Sequence, residues 1–238
     1  MALSGSACGE AALKRDTEHR DKSITGSRKV IENDKGAITY VAIGASDVVG
    51  VGARDPINES WAAVIAKRLP KKSKFVRLGV SGSTAAEAAL GQLPTARNSN
   101  PDLVTVWLAT NDFDLDVPVD EYEKTMDQIL GLASGGKTRV FVANIPDLSM
   151  VPRYWDQPPE VLSKRVDAWN EAIARAARNN GAMVVDLFEP SKALTAMDVS
   201  LVADDGFHPS TEGYELIAEL FWNSITGDPV IGPLIQNT

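Results

Sequence analysis

The stretch "AITYVAIGA", residues 37–45, decides the fold because it is apolar almost throughout and carries several β-branched residues. A strand with one face in water would alternate apolar and polar side chains. A short continuous run of this kind is instead typical of a strand that is buried on both faces of a parallel sheet. Residues 37–45 therefore predict the first strand of an α/β domain.

Four similar apolar runs follow along the chain and predict four more strands. They are "KFVRLGV" (74–80), "LVTVWLA" (103–109), "RVFVANI" (139–145) and "AMVVDLF" (182–188). Each pair of successive runs is separated by a segment with apolar residues at helical spacing, which indicates amphipathic helices between parallel strands.

The helical segments carry recognisable start and stop signals. Thr84 and Glu87 have the spacing of a capping box, and Asp120 with Glu123 is a second candidate N-terminal cap. Leu162, Val166, Trp169 and Ile173 predict one face of a long helix that ends near Gly181, and Tyr214, Ile217, Leu220 and Phe221 predict the last helix.

Strands alternating with helices favour a three-layer α/β/α sandwich, and right-handed crossovers leave few possible strand orders. We expect a flavodoxin-like five-stranded parallel sheet with the order 2-1-3-4-5. In such folds, ligands bind beyond the carboxyl ends of the strands, so functional residues are expected just after each apolar run.

Composition narrows the possible partners. Hydrophobic residues make up 44% of the 238 residues and the formal net charge is −8, which supports one buried core and argues against nucleic acid as a partner. No apolar run reaches the length of a membrane-spanning helix. The chain has one cysteine, which excludes an intramolecular disulfide. Nothing in the sequence indicates a particular oligomeric state.

The first 36 residues differ from the rest because they are polar and charged and lack the apolar region of a signal peptide. We expect residues 1–36 to be a disordered tail or tether and residues 37–238 to be the catalytic domain. The segment "SGSACG" around Cys8 faintly resembles a bacterial lipoprotein processing site. Two alternatives stay open: a lipid-anchored Cys8 outside the cytoplasm, or an ordinary exposed Cys8 in a cytoplasmic protein.

Polar residues suited to nucleophilic catalysis follow the predicted strands. Ser46 follows the first strand, and His208 lies in "DDGFHPS" (204–210), just before the last helix. Ser46 is the candidate nucleophile and His208 the base that removes its proton. Asp205, three residues before His208, is placed to bond the near ring nitrogen and stabilise the charged imidazole.

Two further residues are candidates for stabilising an oxyanion. Gly82 follows the second strand and can bring its backbone N–H close to a substrate, and Asn111 follows the third strand with a side-chain amide. The backbone N–H of Ser46 would be the third donor. Each residue alone also has a structural interpretation as a turn, cap or partly buried histidine, but the set at one sheet edge favours catalysis.

The four segments resemble the blocks of the SGNH hydrolases, also called GDSL esterases and lipases. The matching segments are "IGASDVVG", "LGVSGST", "ATND" and "DGFHPS", which supply Ser, Gly, Asn and His in the family's order. The resemblance covers roughly residues 38–222 and implies an α/β/α fold, ester hydrolysis and no cofactor or metal. Two departures are clear, because Ala45 and Ala109 stand where the family usually has Asp and Gly, and we expect them to alter substrate preference.

The resemblance implies an ester substrate, either a small molecule or a carbohydrate. The expected pocket walls flank the blocks and lie in the loop 147–160: Val48, Phe113, Tyr154, Trp155 and Phe207. We expect a carboxylesterase for short- to medium-chain acyl esters, because no insertion is long enough for a lid domain. The alternatives are an O-acetyl esterase acting on carbohydrate and a non-catalytic binding module of the same fold.

Two other motifs, one like a P-loop and one like a cation site, do not indicate a function in this sequence. "GLASGGKT" (131–138) matches the P-loop pattern, but a helix precedes it and a strand follows it, which is the reverse of a P-loop. Asp112, Asp114 and Asp116 alternate as in some cation sites, yet no further ligand pattern accompanies them, so a solvated loop is the preferred interpretation.

Overall fold

Five parallel strands form one sheet in the computed structural model, which describes residues 36–193 and 200–236. The strand order is β2-β1-β3-β4-β5, as the sequence predicts. The strands are β1 (Thr39–Gly44), β2 (Lys74–Arg77), β3 (Leu103–Trp107), β4 (Arg139–Ala143) and β5 (Met183–Val185). The predicted tail, residues 1–36, lies outside the described residues except for Gly36.

Helices connect the strands and cover the sheet. They are α1 (Ser46–Val49), α2 (Pro56–Glu59), α3 (Trp61–Arg68), α4 (Ala85–Gly91), α5 (Leu93–Asn98), α6 (Thr110–Asp114), α7 (Val119–Leu130), α8 (Pro159–Asn180), α9 (Phe188–Lys192), α10 (Thr211–Gly227) and α11 (Gly232–Gln236). Short 3₁₀ turns occupy Gly131–Gly135, Leu148–Met150 and Pro152–Tyr154. None of these described helices is both long and apolar enough to cross a lipid bilayer.

The three central strands β1, β3 and β4 bury side chains on both faces, which explains their unbroken apolar runs, whereas the edge strands β2 and β5 are partly exposed. In β1, Val41 and Ile43 pack with α4, α7 and α8, whereas Tyr40 and Ala42 pack with α3 and α10. The two sets alternate because successive strand side chains point to opposite faces. The result is the predicted three-layer α/β/α arrangement, with one apolar core on each side of the sheet.

Several predicted element boundaries differ from the structure. The strands end one to three residues before the apolar runs do, because the last residues of each run turn into the loops that approach the site. The Thr84–Glu87 capping box is present at α4. The predicted Asp120–Glu123 cap is wrong: α7 begins at Val119 after Pro118, without a side-chain cap.

A short terminal helix, α11, has no counterpart in the sequence prediction. The carboxylate of Asp228 accepts hydrogen bonds from the backbone N–H groups of Val230 and Ile231 and from the Arg139 guanidinium at the start of β4. A buried carboxylate of this kind needs such partners. Asp228 therefore joins the end of α10 and the following turn to the sheet.

Candidate active site

Ser46 is the first residue of α1 and lies directly beyond the carboxyl end of β1. Close packing holds this short helix against the strand. A Cβ on Gly44 would lie 2.5 Å from Cγ2 of Val48, and one on Gly79 would lie 2.6 Å from Cβ of Val48. The two glycines thus make room for the buried Val48, and Val48 in turn fixes the start of α1 that carries Ser46.

His208 lies within hydrogen-bond distance of Ser46. Nε2 of His208 is 2.9 Å from Oγ of Ser46, and Nδ1 is 2.6 Å from Oδ2 of Asp205. An ionised carboxylate only accepts hydrogen bonds, so Nδ1 donates to Asp205 and the lone pair of Nε2 faces the Ser46 hydroxyl. The structure therefore brings together Ser46, His208 and Asp205 in one chain of hydrogen bonds.

The Asp205 carboxylate also builds the turn that presents His208. Its Oδ1 accepts the backbone N–H groups of Phe207 and His208, both at 2.9 Å. Burial disfavours the charged form, but the hydrogen bonds from the His208 ring and from the two backbone N–H groups outweigh burial and lower the pKa of Asp205. Asp205 is thus held as a carboxylate while it orients the ring.

A close approach between two loops keeps His208 near Ser46. Gly52 follows α1 with φ of +97°, and a Cβ there would lie 2.4 Å from the carbonyl oxygen of Pro209 and 3.0 Å from Cβ of His208. Only glycine combines this backbone conformation with such close contact. The hydroxyl of Tyr214 in α10 also donates to the carbonyl of Val51 at 2.6 Å, which fixes α10 to the same loop.

A hydrogen bond joins the Gly82 loop to the segment of Asn111, which lines the same cavity as Ser46. Gly82 has φ of +79°, a conformation that favours glycine. Nδ2 of Asn111 donates to the carbonyl oxygen of Ser83 at 2.9 Å, which joins α6 to the Gly82 loop. Among the hydrogen bonds of the described residues, none uses the backbone N–H of Ser46 or Gly82.

Asp112 reinforces the same junction. Its Oδ2 accepts the backbone N–H of Ala85 at the start of α4, at 2.9 Å. The side chain is only 2% exposed, and burial raises its pKa to about 6 against the opposing effect of its backbone hydrogen bonds. Asp112 thus has a structural position beside Asn111, and Asp114 and Asp116 instead pair with Arg153 and Arg165.

Among the described residues, no group of three or more His, Cys, Asp or Glu side chains could hold a metal ion. The three aspartates of the alternating run therefore have separate partners and are not assembled around a common point.

Asp47 is a further acidic residue at the site, and the sequence analysis gave it no role. Its Oδ1 accepts the backbone N–H of Ala45 and its Oδ2 accepts the indole N–H of Trp61, both at 3.2 Å. Burial raises the pKa of Asp47 to about 6, although these hydrogen bonds and the nearby His208 act in the opposite direction. The sequence did contain a signal for Asp47. The GDSL pattern has an acidic residue directly before the serine, whereas here Ala45 precedes Ser46 and the acidic residue, Asp47, follows it.

A mostly apolar cavity of about 160 Å³ opens beside Ser46 and His208. Its walls come from the ends of β3 and β4, from α9, from α10 and from the segment around residues 146–154. Four apolar wall residues were missed by the sequence analysis, because strand or helix spacing alone does not separate core positions from cavity positions: Leu187, Leu216, Ile217 and Leu220.

The five predicted pocket residues divide into three groups. Tyr154 and Phe207 line the cavity. Val48 and Phe113 do not, because both are fully buried in the two cores, where Val48 fixes α1 and Phe113 packs on Trp169. Trp155 is not a lining residue either and is 61% exposed. Proximity in sequence to a catalytic residue was therefore a poor guide to the cavity wall.

The sequence of this site matches the model of a known protein family. Residues 42–216 match the model of the GDSL-like Lipase/Acylhydrolase family. The chain belongs to this family. The match covers the segments of Ser46, Gly82, Asn111, Asp205 and His208, so the protein is a carboxylic ester hydrolase of the GDSL type. A search of curated proteins found no match.

Solved structures of GDSL-type hydrolases have the same fold. TesA is 20% identical, with a TM-score of 0.64 over 83% of this chain and 99% of that chain. A lipase/acylhydrolase from Enterococcus faecalis is 19% identical, with a TM-score of 0.62 over 79% of this chain and 94% of that one. The acetylxylan esterase Axe2 from Geobacillus stearothermophilus is 18% identical, with a TM-score of 0.60 over 79% of this chain and 94% of that one.

One departure from the GDSL pattern has a simple backbone explanation. Ala109, which stands where the family usually has glycine, has φ of −170°. This is an extended conformation that any residue adopts, so alanine causes no backbone strain. Ala109 also lines the cavity, two residues before the candidate oxyanion donor Asn111.

Proposed function

We propose that this GDSL hydrolase is a carboxylesterase that cleaves short- to medium-chain acyl esters through an acyl-enzyme on Ser46. The observation that carries the proposal is the hydrogen-bonded series of Ser46, His208 and Asp205 beside an apolar cavity. A hydroxyl, an imidazole that can take its proton and a carboxylate that orients the ring are the groups that acyl transfer requires.

In the proposed reaction, Oγ of Ser46 attacks the ester carbonyl carbon while its proton passes to Nε2 of His208. The carbonyl electron pair moves onto oxygen, which accepts hydrogen bonds from the Ser46 and Gly82 N–H groups and from Asn111. The intermediate collapses, the alcohol leaves with the proton from Nε2, and an acyl-enzyme remains. Water then repeats the sequence, with His208 again as base, and releases the acid.

The cavity size supports short to medium acyl groups. A dry cavity of roughly 150 Å³ accommodates a benzene molecule, which has six carbon atoms. The cavity beside Ser46 is about 160 Å³. An acyl chain of about four to six carbons would therefore fill it, and a much longer chain would have to extend beyond its walls.

The test is a series of p-nitrophenyl esters from acetate to palmitate, with wild-type protein and the Ser46→Ala variant. We expect the highest kcat/KM near butyrate or hexanoate, and no release above background with the variant. Equal release by both proteins would refute the role of Ser46. Activity that rises steadily to palmitate would refute the chain-length part of the proposal.

A second candidate is an O-acetyl esterase acting on carbohydrate. Trp155 favours it, because this indole directly follows the cavity-lining Tyr154 and is 61% exposed. Exposed aromatic rings of this kind can stack on sugars. Acetate release from acetylated xylan or pectin at a higher kcat/KM than hydrolysis of simple butyrate esters would favour this candidate over the first.

A further inference from the structure

The indole N–H of Trp107 is a hydrogen-bond donor without an acceptor. Among the described residues, Nε1 of Trp107 is the one buried side-chain nitrogen or oxygen that lacks a hydrogen-bond partner. The residue is only 7% exposed. Leaving such a donor unpaired is unfavourable, and native proteins satisfy nearly all of them.

Trp107 also lines the cavity that Ser46 and His208 share. It is the last residue of β3, and in the sheet register it lies opposite Gly44, two residues before Ser46. Its ring stands edge-on to Trp61, with centroids 6.4 Å apart. The unpaired donor thus belongs to a residue that lines the cavity.

The chemistry of the surrounding wall defines what would pair with this donor. An indole N–H only donates, so its partner must be an acceptor. Leu187, Ile217 and Leu220, which line the same cavity, are apolar. The nearby Asp47 carboxylate already accepts from Ala45 and Trp61. An ether or carbonyl oxygen fits this setting better than a hydroxyl, whose own proton would need a further acceptor.

We propose that the part of the ester that enters the cavity carries an ether or carbonyl oxygen, which accepts a hydrogen bond from the Trp107 indole. This inference rests on the proposed esterase function and narrows its substrate class from simple alkanoates to oxygen-bearing esters. The apolar walls bind the hydrocarbon part of the substrate. Trp107 distinguishes an oxygen atom from a methylene group at one position of that substrate.

The test is an oxygen scan with matched p-nitrophenyl esters in which one methylene is replaced by oxygen. The pairs are methoxyacetate with butyrate, 3-methoxypropanoate with pentanoate, and 4-methoxybutanoate with hexanoate. The same scan is made on the alcohol side with acetate esters of butanol and 2-methoxyethanol. The electronic effect of the oxygen declines steadily with distance from the carbonyl, so a preference that rises again at one position must come from the protein.

The variant Trp107→Phe removes the indole donor. For each pair, the kcat/KM of the oxygen-bearing ester is divided by that of its alkyl partner. Intrinsic ester reactivity affects this ratio equally in the variant and in wild type, so a difference between the two proteins comes from the indole. We expect the favoured oxygen-bearing ester to lose about 3- to 10-fold relative to its alkyl partner in this variant. Trp61→Phe is the matched control, since it also removes a buried indole but one that already donates to Asp47. The pair ratios of that variant should equal those of wild type.

Each outcome decides the matter. If Trp107→Phe does not fold, the position scan on the wild-type protein decides alone, because a preference confined to one oxygen position supports the proposal. Ratios that decline smoothly with distance in wild type, or that are unchanged in a folded Trp107→Phe, would overturn it while hydrolysis of the alkyl esters leaves the esterase function standing. Absence of hydrolysis throughout would overturn both.

Discussion

The hydroxyl oxygen of Ser46 lies 2.9 Å from Nε2 of His208, although 162 positions of the chain separate the two residues. Two local features produce this contact. Val48 packs against Gly44 and Gly79 and so fixes α1, and Gly52 lets the loop after α1 touch the backbone next to His208. These features hold the Ser46 hydroxyl and the His208 ring within hydrogen-bond distance, as the proposed proton transfer requires.

His208→Ala should reduce kcat/KM more than Asp205→Asn. Loss of the imidazole removes the base altogether, whereas an amide at position 205 can still accept the backbone N–H groups of the turn but no longer stabilises the charged ring. We expect a loss of about four orders of magnitude or more for His208→Ala. Steady-state kinetics with p-nitrophenyl butyrate would measure both, and the reverse ranking would contradict the assigned roles.

Asn111→Ala should lower kcat by about 10²- to 10³-fold with little change in KM, because the lost donor acts on the oxyanion and not on the ground-state ester. The matched control is Ser83→Ala. This variant keeps the Ser83 carbonyl that Asn111 bonds, so its activity should stay within a few-fold of wild type. Equal losses in both variants would show that the loop and not the amide is responsible.

Gly52→Ala should destabilise the protein and lower kcat, because the new methyl group would lie 2.4 Å from the Pro209 carbonyl oxygen and displace the His208 loop. Gly136→Ala is the control, since Gly136 also has positive φ but open space around it. We expect that variant to lose roughly 1 kcal/mol of stability through backbone strain alone, with normal kcat. Urea unfolding and kinetics on both variants test this, and a normal kcat in Gly52→Ala would contradict it.

Asp112 should make the free energy of unfolding depend on pH. Its pKa is raised to about 6 in the folded protein from an ordinary value of 3.8, so the folded state favours the protonated form. Its contribution to stability is therefore present below about pH 4 and is lost as the pH rises to about 6.

The Asp112→Asn variant keeps an acceptor for the Ala85 N–H but cannot ionise. Relative to wild type, its free energy of unfolding should rise between pH 4 and 6, by at most about 3 kcal/mol, and then stay level. Asp47 has a similarly raised pKa but is present in both proteins, so its effect cancels in the difference. Urea unfolding at several pH values would measure the difference, and one that does not vary with pH would contradict the prediction.

The strand order and the site residues beyond the carboxyl ends of the strands could be predicted from the sequence, because both follow from short apolar runs and the residues next to them. Buried parallel strands are continuous apolar runs, and their carboxyl ends share one edge. The wall of the cavity could not be predicted in this way. Val48 and Leu216 are both apolar residues of helices, yet one is buried in the core and the other lines the cavity, and only the packing of the helices on the sheet separates them.

The roles of the polar residues behind the site were also hidden in the sequence. Asp47 bonds Trp61 and Asp112 bonds Ala85, 14 and 27 positions away, and neither pairing has a sequence signature. Likewise, the unpaired indole of Trp107 looks like any apolar residue of a buried strand until the acceptors around it are known.

Labelling with a serine-directed fluorophosphonate, followed by mass mapping of the modified peptide, tests the central claim most directly. We expect one phosphonyl group per chain, located on Ser46, with loss of esterase activity in proportion to labelling. Ser46→Ala should take up no label, and His208→Ala should take it up far more slowly. Labelling of a different serine, or full esterase activity in a protein whose Ser46 is fully modified, would contradict the account.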